Sequence, residues 1–401
     1  MEEYTHCVDS KYTHLCPIQT RNLGLCVENV SDCDILIPNR DERMQPKIDG
    51  FEDVRGKDYA YDDTYLHNNC GIITKIKDIT YETYTDVGNN IKICSWNVWG
   101  LLKYKQPFMT WSLNKRINNI IDIILQEDLD IICLQEVSTP VYKLLRKRIG
   151  DKYYFYEESI DTEKTLAERD RSLEILFLSK VKAYRYTNYL LGGNLNYKNN
   201  LSILEFPNLV IFGCYFQAGS KYSIGQETKW FHYSRCRSEQ LEILFNQISK
   251  YHQSKMIILG DVNFHLDGQI EQWPEIKNLN ILKEYGFIDS YRFLFPNKEI
   301  NPGFTEDTEQ NLMRYNSKFI DKQFRYDGIL SKGLTPVDCK ILGTNQIKLS
   351  IDEIANMIDQ FVYVENLDKM RVLKNKENPE GNLALWPSDH FGIVSVFNDD
   401  I

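Results

Sequence analysis

Beyond about residue 91, short apolar runs alternate with amphipathic segments along the chain. Apolar runs of four to eight residues are typical of buried strands. The runs lie at residues 91–98, 131–134, 173–178, 202–206, 210–215, 256–259 and 393–397. The pattern therefore predicts a domain in which strands dominate.

Two segments have the periodicity of amphipathic helices, at residues 117–129 and 239–248. Their inward positions are Ile117, Ile120, Ile121, Ile124 and Leu125 in the first, and Leu241, Leu244, Phe245 and Ile248 in the second. Ser350 and Glu353 have the spacing of a capping box, which predicts a further helix through residue 361. Strands interleaved with a few helices predict a layered α/β domain with its sheets inside.

Residues 1–90 have a different character. They hold five of the ten cysteines, and 17 acidic against 9 basic residues, so most of the net charge of −10 lies there. We expect an acidic, cysteine-containing N-terminal extension over 1–90 and a catalytic domain over 91–401. A short echo within the extension brings His6, Cys7, His14 and Cys16 together in sequence. These four residues can in principle ligate zinc, but their spacing matches no common zinc finger, and an irregular extension is the simpler interpretation.

The composition excludes several classes. With 401 residues, 42% hydrophobic and 12% aromatic, the chain can bury a large core and is not a disordered protein. No apolar run approaches the ~18–20 residues needed to span a bilayer, and the polar N-terminus does not resemble a secretory signal. We therefore expect free thiols in a reducing intracellular compartment, nucleus or cytoplasm, with a viral particle left open. Oligomeric state is not indicated.

Polar residues stand beside several of the predicted strands. Asn97 and Glu136 follow the first two apolar runs, Asp261 and Asn263 follow the run at 256–259, and the pair Asp389-His390 precedes the last one. Asp327 lies in a further apolar segment, RYDGIL. Each has a bland explanation as a turn, cap or surface charge. Their joint occurrence predicts that they converge at one edge of a sheet.

These residue types suit one reaction. A glutamate such as Glu136 is a hard oxygen ligand for Mg²⁺ or Mn²⁺, and Asp261 is a candidate to orient and deprotonate an attacking water. Amides at Asn97 and Asn263 can donate to a phosphoryl oxygen without adding charge.

A protonated His390 can donate to a non-bridging oxygen as charge develops. A carboxylate at Asp327 would hold its tautomer. The set indicates metal-assisted hydrolysis of a phosphoester by water.

The ordered motifs WN, LQEV, GDVN and SDH resemble those of the endonuclease/exonuclease/phosphatase superfamily, over about residues 91–397. The segments LQEVSTPVYKLLRKR, FTEDTEQN, FRYDGIL and PSDHFG are most similar to the 5′-tyrosyl-DNA phosphodiesterase branch. The resemblance implies a four-layer α/β sandwich of the DNase-I-like fold, Mg²⁺ as cofactor, a role in DNA repair, and a nucleic acid or protein-linked nucleic acid as partner.

The resemblance also implies residue roles. It assigns metal binding to Glu136 and Asp389, catalysis to Asp261, His390, Asn263, Asp327 and Asn97, and substrate binding to Tyr215, Asn263 and Asn97. Three positions depart from the branch. Trp99 replaces an aspartate of its metal site, Tyr215 replaces a phosphate-contacting histidine, and Glu306 replaces an aromatic residue of its nucleic-acid surface.

Three functions stay open on the sequence alone. The leading hypothesis is a Mg²⁺-dependent phosphodiesterase acting at a nucleic-acid 5′ end. The segment 217–220, QAGS, is also typical of lipid-cleaving members, which leaves a sphingomyelinase-like phosphodiesterase as an alternative. Because Trp99 and Tyr215 depart from the branch, a catalytically inactive binding protein is the third. Basic clusters at 143–152, 229–237 and 314–325 are candidate nucleic-acid surfaces or ordinary solvated faces.

Overall fold

A computed structural model of the chain describes residues 71–88, 90–100, 107–157, 172–192, 199–219, 227–311, 322–350 and 385–398. The candidate zinc ligands of the N-terminal extension and the predicted helix after Ser350 lie outside the described residues.

The described residues form two large sheets, a small two-stranded sheet and the helices that cover the large sheets. The strands are β1 (Ile73–Thr80), β2 (Asn90–Asn97), β3 (Ile131–Ser138), β4 (Tyr154–Tyr156), β5 (Ser172–Ser179), β6 (Arg185–Leu191), β7 (Asn199–Phe206), β8 (Leu209–Tyr215), β9 (Met256–Asp261), β10 (Ile288–Asp289), β11 (Glu306–Asp307), β12 (Gln323–Phe324), β13 (Asp327–Lys332), β14 (Thr335–Leu342) and β15 (Gly392–Asn398). The helices are α1 (Pro107–Glu127), α2 (Thr139–Ile149), α3 (Glu227–Ile248), α4 (Ile276–Glu284) and α5 (Ser290–Leu294).

The two large sheets pack face to face. The seven-stranded sheet has the order β1-β6-β7-β8-β9-β13-β10, and the six-stranded sheet has the order β14-β15-β2-β3-β5-β4. A buried apolar layer joins them, and it includes Ile131 and Phe177 of the six-stranded sheet and Ile211 and Ile257 of the seven-stranded sheet. Burial on both faces explains why these strands read as continuous apolar runs.

Helices cover the outer face of each sheet. Buried residues of α1 and α2 pack on the six-stranded sheet, with Ile121 and Leu145 among them. Residues of α3 and α4, including Leu244 and Leu279, pack on the seven-stranded sheet. The order helix, sheet, sheet, helix confirms the predicted four-layer α/β sandwich.

Where the structure describes the chain, the predicted strands and helices are present, with differences at their ends. Helix α3 begins at Glu227, twelve residues before the predicted start. Its first turns carry polar residues, and one of them, Arg237, is buried in an ion pair with Glu275. A buried charge on an inward face does not produce an apolar period, so hydrophobicity alone cannot locate this part of the helix.

Strand β1 lies in the stretch that the sequence pattern assigned to the N-terminal extension. It pairs antiparallel with β6, from Ile73 opposite Leu191 to Thr80 opposite Arg185. The sheet therefore begins before residue 91. As an edge strand, β1 is half exposed and rich in polar residues, and its pattern lacks the continuous apolar run of a central strand.

Four cysteines confirm the expectation of free thiols, namely Cys94, Cys133, Cys214 and Cys339, all buried. Burial raises the pKa of the Cys94 and Cys214 thiols well above the usual range, so both are unreactive. For Cys236 the expectation is wrong, since it is disulfide-bonded. Within the described part of the chain, no helix is long and apolar enough to cross a membrane.

Gly213 on β8 allows the two sheets their close approach. A Cβ added there would lie 2.7 Å from the ring of Phe177 and 3.0 Å from Cys133 Sγ. We predict that Gly213→Ala lowers the free energy of unfolding by about 1–3 kcal/mol, because overpacking forces the sheets apart. Urea denaturation measures the change. Gly88→Ala is the matched control, since a Cβ there meets nothing within 4 Å, and equal stability of the two variants would contradict the prediction.

Candidate active site

Strand topology brings the predicted site residues to one end of the sandwich. Strands β2 and β3 are parallel, as are β8 and β9, so their carboxyl ends lie at the same edge of each sheet. Strand β13 runs antiparallel to β9 and places Asp327 opposite Asp261. Strand β15 runs antiparallel to β2, so His390, just before it, lies at that edge as well.

The side-chain amide of Asn97 joins the two sheets at this end. Its Nδ2 donates to Glu136 Oε1 at 3.2 Å and to Asp261 Oδ2 at 3.0 Å. The Tyr215 hydroxyl donates to the same Glu136 oxygen at 2.7 Å. A carboxylate from each sheet is therefore held by one shared donor.

His390 and Asp327 form a hydrogen-bonded pair, with Nδ1 of the histidine 2.8 Å from Oδ2 of the aspartate. Asp327 is fully buried, and its other oxygen, Oδ1, has no hydrogen-bond partner. Burial lowers the pKa of His390, but the charges of Asp327 and Asp261 outweigh it, so the net pKa lies well above the usual value. The raised pKa favours the protonated imidazole, and the pairing of His390 with Asp327 that the sequence predicted is present.

The carboxylates at this end are crowded. Burial, together with the charge of Asp327, raises the pKa of Asp261 to about 8, against the lowering effect of His390. Burial and the charge of Asp389 raise the pKa of Glu136. Burial is the larger cause of both shifts, and the neighbouring carboxylates add to it.

The donor set fits a divalent cation. Ligand atoms of Asp261, Asp327 and His390 lie within 4.8 Å of one another. Because His390 Nδ1 and Asp327 Oδ2 bond to each other, the Asp261 carboxylate and the unpartnered Asp327 Oδ1 are the oxygens of this group that a cation could use. Glu136 is partly buried beside this group and shares the Asn97 donor with Asp261. Several carboxylate oxygens gathered at one place are what a hard cation such as Mg²⁺ binds.

Backbone strain accompanies the site. Glu136 and Asn263 have φ of 58° and 55°, in the left-handed region that non-glycine residues rarely adopt. Such residues cost about 1–3 kcal/mol each and persist where the surrounding contacts hold them. Asn263 is held by its own backbone N–H, which donates to Asp261 Oδ1 at 2.9 Å, and by its Nδ2, which donates to the Phe216 carbonyl at 3.0 Å.

Arg116 of α1 supports the loops of the site, a role that the sequence analysis did not predict. Its fully buried guanidinium donates to the carbonyls of Val98, Trp99 and Pro387 at 3.0–3.3 Å. It thus ties the loop after Asn97 to the loop before His390. One signal could have indicated this role: a basic residue stands immediately before Ile117, where the apolar face of the predicted helix begins.

Ser388 and Trp96 hold the same two loops together. Ser388 Oγ donates to the Asn97 carbonyl at 2.6 Å, and Trp96 Nε1 donates to the His390 carbonyl at 3.0 Å. Both residues lie inside the WN and SDH motifs, so these motifs contain packing residues as well as candidate catalytic ones.

Two positions that depart from the related branch are buried. Trp99 packs in an apolar cluster with Trp386 and Phe391. Glu306 forms a buried ion pair with Lys322, at 3.3 Å. Neither side chain forms part of an exposed surface for nucleic acid.

The basic clusters differ from one another. In the cluster at 314–325, Arg325 is fully buried between Asp267 and Asp289, at 2.8 and 2.9 Å, and Lys322 is buried as well. The hypothesis of a nucleic-acid contact is therefore wrong for these two residues, because their charges are neutralised inside the fold. Residues 314–321 lie outside the described residues.

Because Asn97 donates to two carboxylates, a small change of this side chain should have a large effect on stability. Asn97→Asp replaces an amide that bridges two carboxylates with a third carboxylate, which leaves like charges buried together. We expect a loss of at least about 2 kcal/mol in the free energy of unfolding, measured in EDTA at pH 8. Asn97→Ala, which removes the donor without adding charge, is the control. An Asn97→Asp variant as stable as Asn97→Ala would contradict the bridging geometry.

Comparisons with known proteins agree with this architecture. A structure of zebrafish (D. rerio) TDP2, tyrosyl-DNA phosphodiesterase 2, complexed with a single-strand DNA product has 20% identity, covers 78% of this chain and 100% of its own, and has a TM-score of 0.54. Truncated TDP2 from Caenorhabditis elegans has 15% identity, with 77% and 98% covered and a TM-score of 0.51. At these identities the likeness shows the fold. No curated protein matches the chain significantly.

The sequence profile of the Endonuclease/Exonuclease/phosphatase family matches residues 94–390, which is most of the chain. This range contains every predicted site residue from Asn97 to His390. The chain therefore belongs to the Endonuclease/Exonuclease/phosphatase family and is a hydrolase of phosphodiester bonds.

Proposed function

We propose that the protein is a Mg²⁺-dependent phosphodiesterase that hydrolyses a phosphoester at a nucleic-acid 5′ end, with a 5′-tyrosyl link between protein and DNA or RNA as its specific bond. One observation carries the proposal. Glu136, Asp261 and the His390–Asp327 pair, from distant parts of the chain, meet at one end of the sandwich. The nucleic-acid substrate is supported by the likeness to TDP2 bound to a single-strand DNA product.

Glu136 and Asp389 would hold the cation, together with the oxygens that crowd around them. When bound, Mg²⁺ supplies Lewis-acid polarisation of the phosphoryl group and positive charge that keeps the neighbouring carboxylates ionised. The raised pKa of Glu136, caused by burial and by Asp389, supports this assignment.

Asp261 is the candidate general base. Its fixed position, accepting from Asn97 Nδ2 and from the Asn263 backbone, orients one carboxylate oxygen toward an attacking water. Burial raises the pKa of Asp261, which makes its carboxylate a stronger base, and the positive charge of a bound cation would keep that carboxylate ionised.

His390 acts as a cationic donor. Its Nδ1 is occupied by Asp327, so Nε2 carries the proton that can meet a non-bridging phosphoryl oxygen. A positioned donor of this kind stabilises the charge that develops in the transition state.

The two asparagines and Tyr215 have different roles. Because Asn97 Nδ2 donates to both Glu136 and Asp261, Asn97 positions the two carboxylates. Asn263 and Tyr215 are the candidate phosphate contacts, and Tyr215 also orients Glu136 through its hydroxyl.

A substrate panel tests the proposal. Purified protein with Mg²⁺ is offered a 5′-phosphotyrosyl oligonucleotide, an abasic duplex, sphingomyelin and bis-p-nitrophenyl phosphate. We expect cleavage of the phosphotyrosyl link, with release of tyrosine and a 5′-phosphate left on the oligonucleotide. Release of phosphocholine would favour a lipid phosphodiesterase. No turnover with any divalent metal would favour a binding protein.

Removal of the candidate catalytic groups has a predicted size. Asp261→Asn and His390→Ala each lower turnover by at least ~10²-fold, since one loses the general base and the other a transition-state donor. Steady-state kinetics on the best substrate measures this. Asp338→Asn, an exposed aspartate on β14, is the control and keeps wild-type turnover. Wild-type rates for Asp261→Asn would reject the mechanism.

Metal binding has a readout independent of turnover. Ligands that bind only the folded state raise its stability, so millimolar Mg²⁺ should raise the melting temperature of the wild type by several degrees. Glu136→Gln removes a charged ligand and should abolish most of the shift. Glu242→Gln, a half-buried glutamate on α3, is the control. An undiminished shift in Glu136→Gln would place the cation elsewhere.

A further inference from the structure

Helix α2 follows directly after β3, the strand that carries Glu136. It contains four basic residues and no acidic residue. Val141, Leu145 and Ile149 form its buried face. Lys143, Arg146 and Lys147 are exposed and lie three and four residues apart, so they share one side of the helix. We call these three residues the basic face.

Arg146 is held in a fixed orientation on this face. Its guanidinium carbon lies 4.0 Å from the ring centroid of Phe155, and its Nε donates to the Tyr142 hydroxyl at 2.9 Å. That hydroxyl in turn donates to Glu157 Oε1 at 2.6 Å. Among the described residues, none forms an ion pair with Arg146. A stacked guanidinium whose terminal nitrogens bond to none of the described residues is preorganised for bidentate contact with phosphate.

Arg148, on the same helix, differs in this respect. Its Nη1 donates to Asn118 Oδ1 at 2.9 Å, and its Nη2 donates to Asp122 Oδ1 at 2.8 Å. Its charge is thus engaged by α1. The helix therefore carries one arginine that bonds directly to a carboxylate of α1, and one that reaches a carboxylate only through the Tyr142 hydroxyl.

We propose that the basic face binds the phosphodiester backbone of a nucleic-acid strand that extends from the candidate active site along α2. The proposal rests on the proposed function and adds where the substrate strand lies. The candidate active site is rich in carboxylates and the chain has a net charge of −10, so a polyanion needs a local region of positive charge. A helix of 11 residues is about 16 Å long, which spans several phosphates of one strand.

The test is a binding measurement in EDTA, where no hydrolysis occurs. Anisotropy of a 3′-fluorescein 20-nucleotide single-stranded DNA, titrated with the full chain at several KCl concentrations, gives affinity and its salt slope. For K143A/R146A/K147A we expect weaker binding, with a slope of log Kobs against log[KCl] smaller in magnitude by about 2, since each lost contact to a single strand removes about 0.7. R148A should keep the wild-type slope.

Three outcomes would overturn the proposal. These are wild-type affinity and slope in the triple variant, an equal effect of R148A, or displacement of the DNA by a poly-glutamate peptide as readily as by unlabelled DNA. Alanine is favourable at exposed helix positions, so the triple variant should fold. The single variant R146Q gives a second test, with an expected slope change of about 0.7.

Turnover separates this proposal from the proposed function. On p-nitrophenyl thymidine 5′-phosphate, which is too short to reach α2, the triple variant should keep wild-type kcat/KM, and on a 20-nucleotide substrate it should have a raised KM. A reduced salt slope without hydrolysis of any substrate would sustain the binding face and reject the hydrolase. Hydrolysis with an unchanged salt slope in the triple variant would support the hydrolase and reject the binding face.

Discussion

The bridging amide of Asn97 is the contact on which the candidate active site depends. It is buried, and its single nitrogen holds Glu136 from one sheet and Asp261 from the other. Since the two carboxylates belong to different sheets, their separation is set by the packing of the sandwich. The apolar layer between the sheets and the close approach at Gly213 therefore help to set the geometry of the candidate active site.

At the end of the sandwich that holds the candidate active site, the fold also bears crowded carboxylates and backbone strain. Carboxylates are crowded enough to raise the pKa of Asp261 to about 8 and that of Glu136 above its usual value, through burial and neighbouring charge. Glu136 and Asn263 adopt strained backbone conformations. Strain and unneutralised charge are usual at sites built for a ligand, and a divalent cation would relieve the charge.

Much of the fold could be predicted from the sequence because strands buried on both faces appear as continuous apolar runs. The convergence of Asn97, Glu136, Asp261, Asp327 and His390 followed from their positions beside strands. β1 could not be predicted, because an exposed edge strand with alternating polar residues lacks that signal. Arg116 was missed because its partners are three backbone carbonyls, and backbone groups leave no residue-type signal in the sequence. The burial of Arg325 and Lys322 within a basic cluster depends on distant acids, which no local pattern shows.

The most direct test of the account is an anomalous difference map from crystals soaked in Mn²⁺, whose oxygen preferences overlap those of Mg²⁺. A single strong peak in contact with the Glu136 carboxylate, near Asp261 and Asp389, is the predicted result. Ordered, unoccupied carboxylates at saturating Mn²⁺, or a peak remote from Glu136, would contradict the claim that these residues form a metal-dependent phosphodiesterase site.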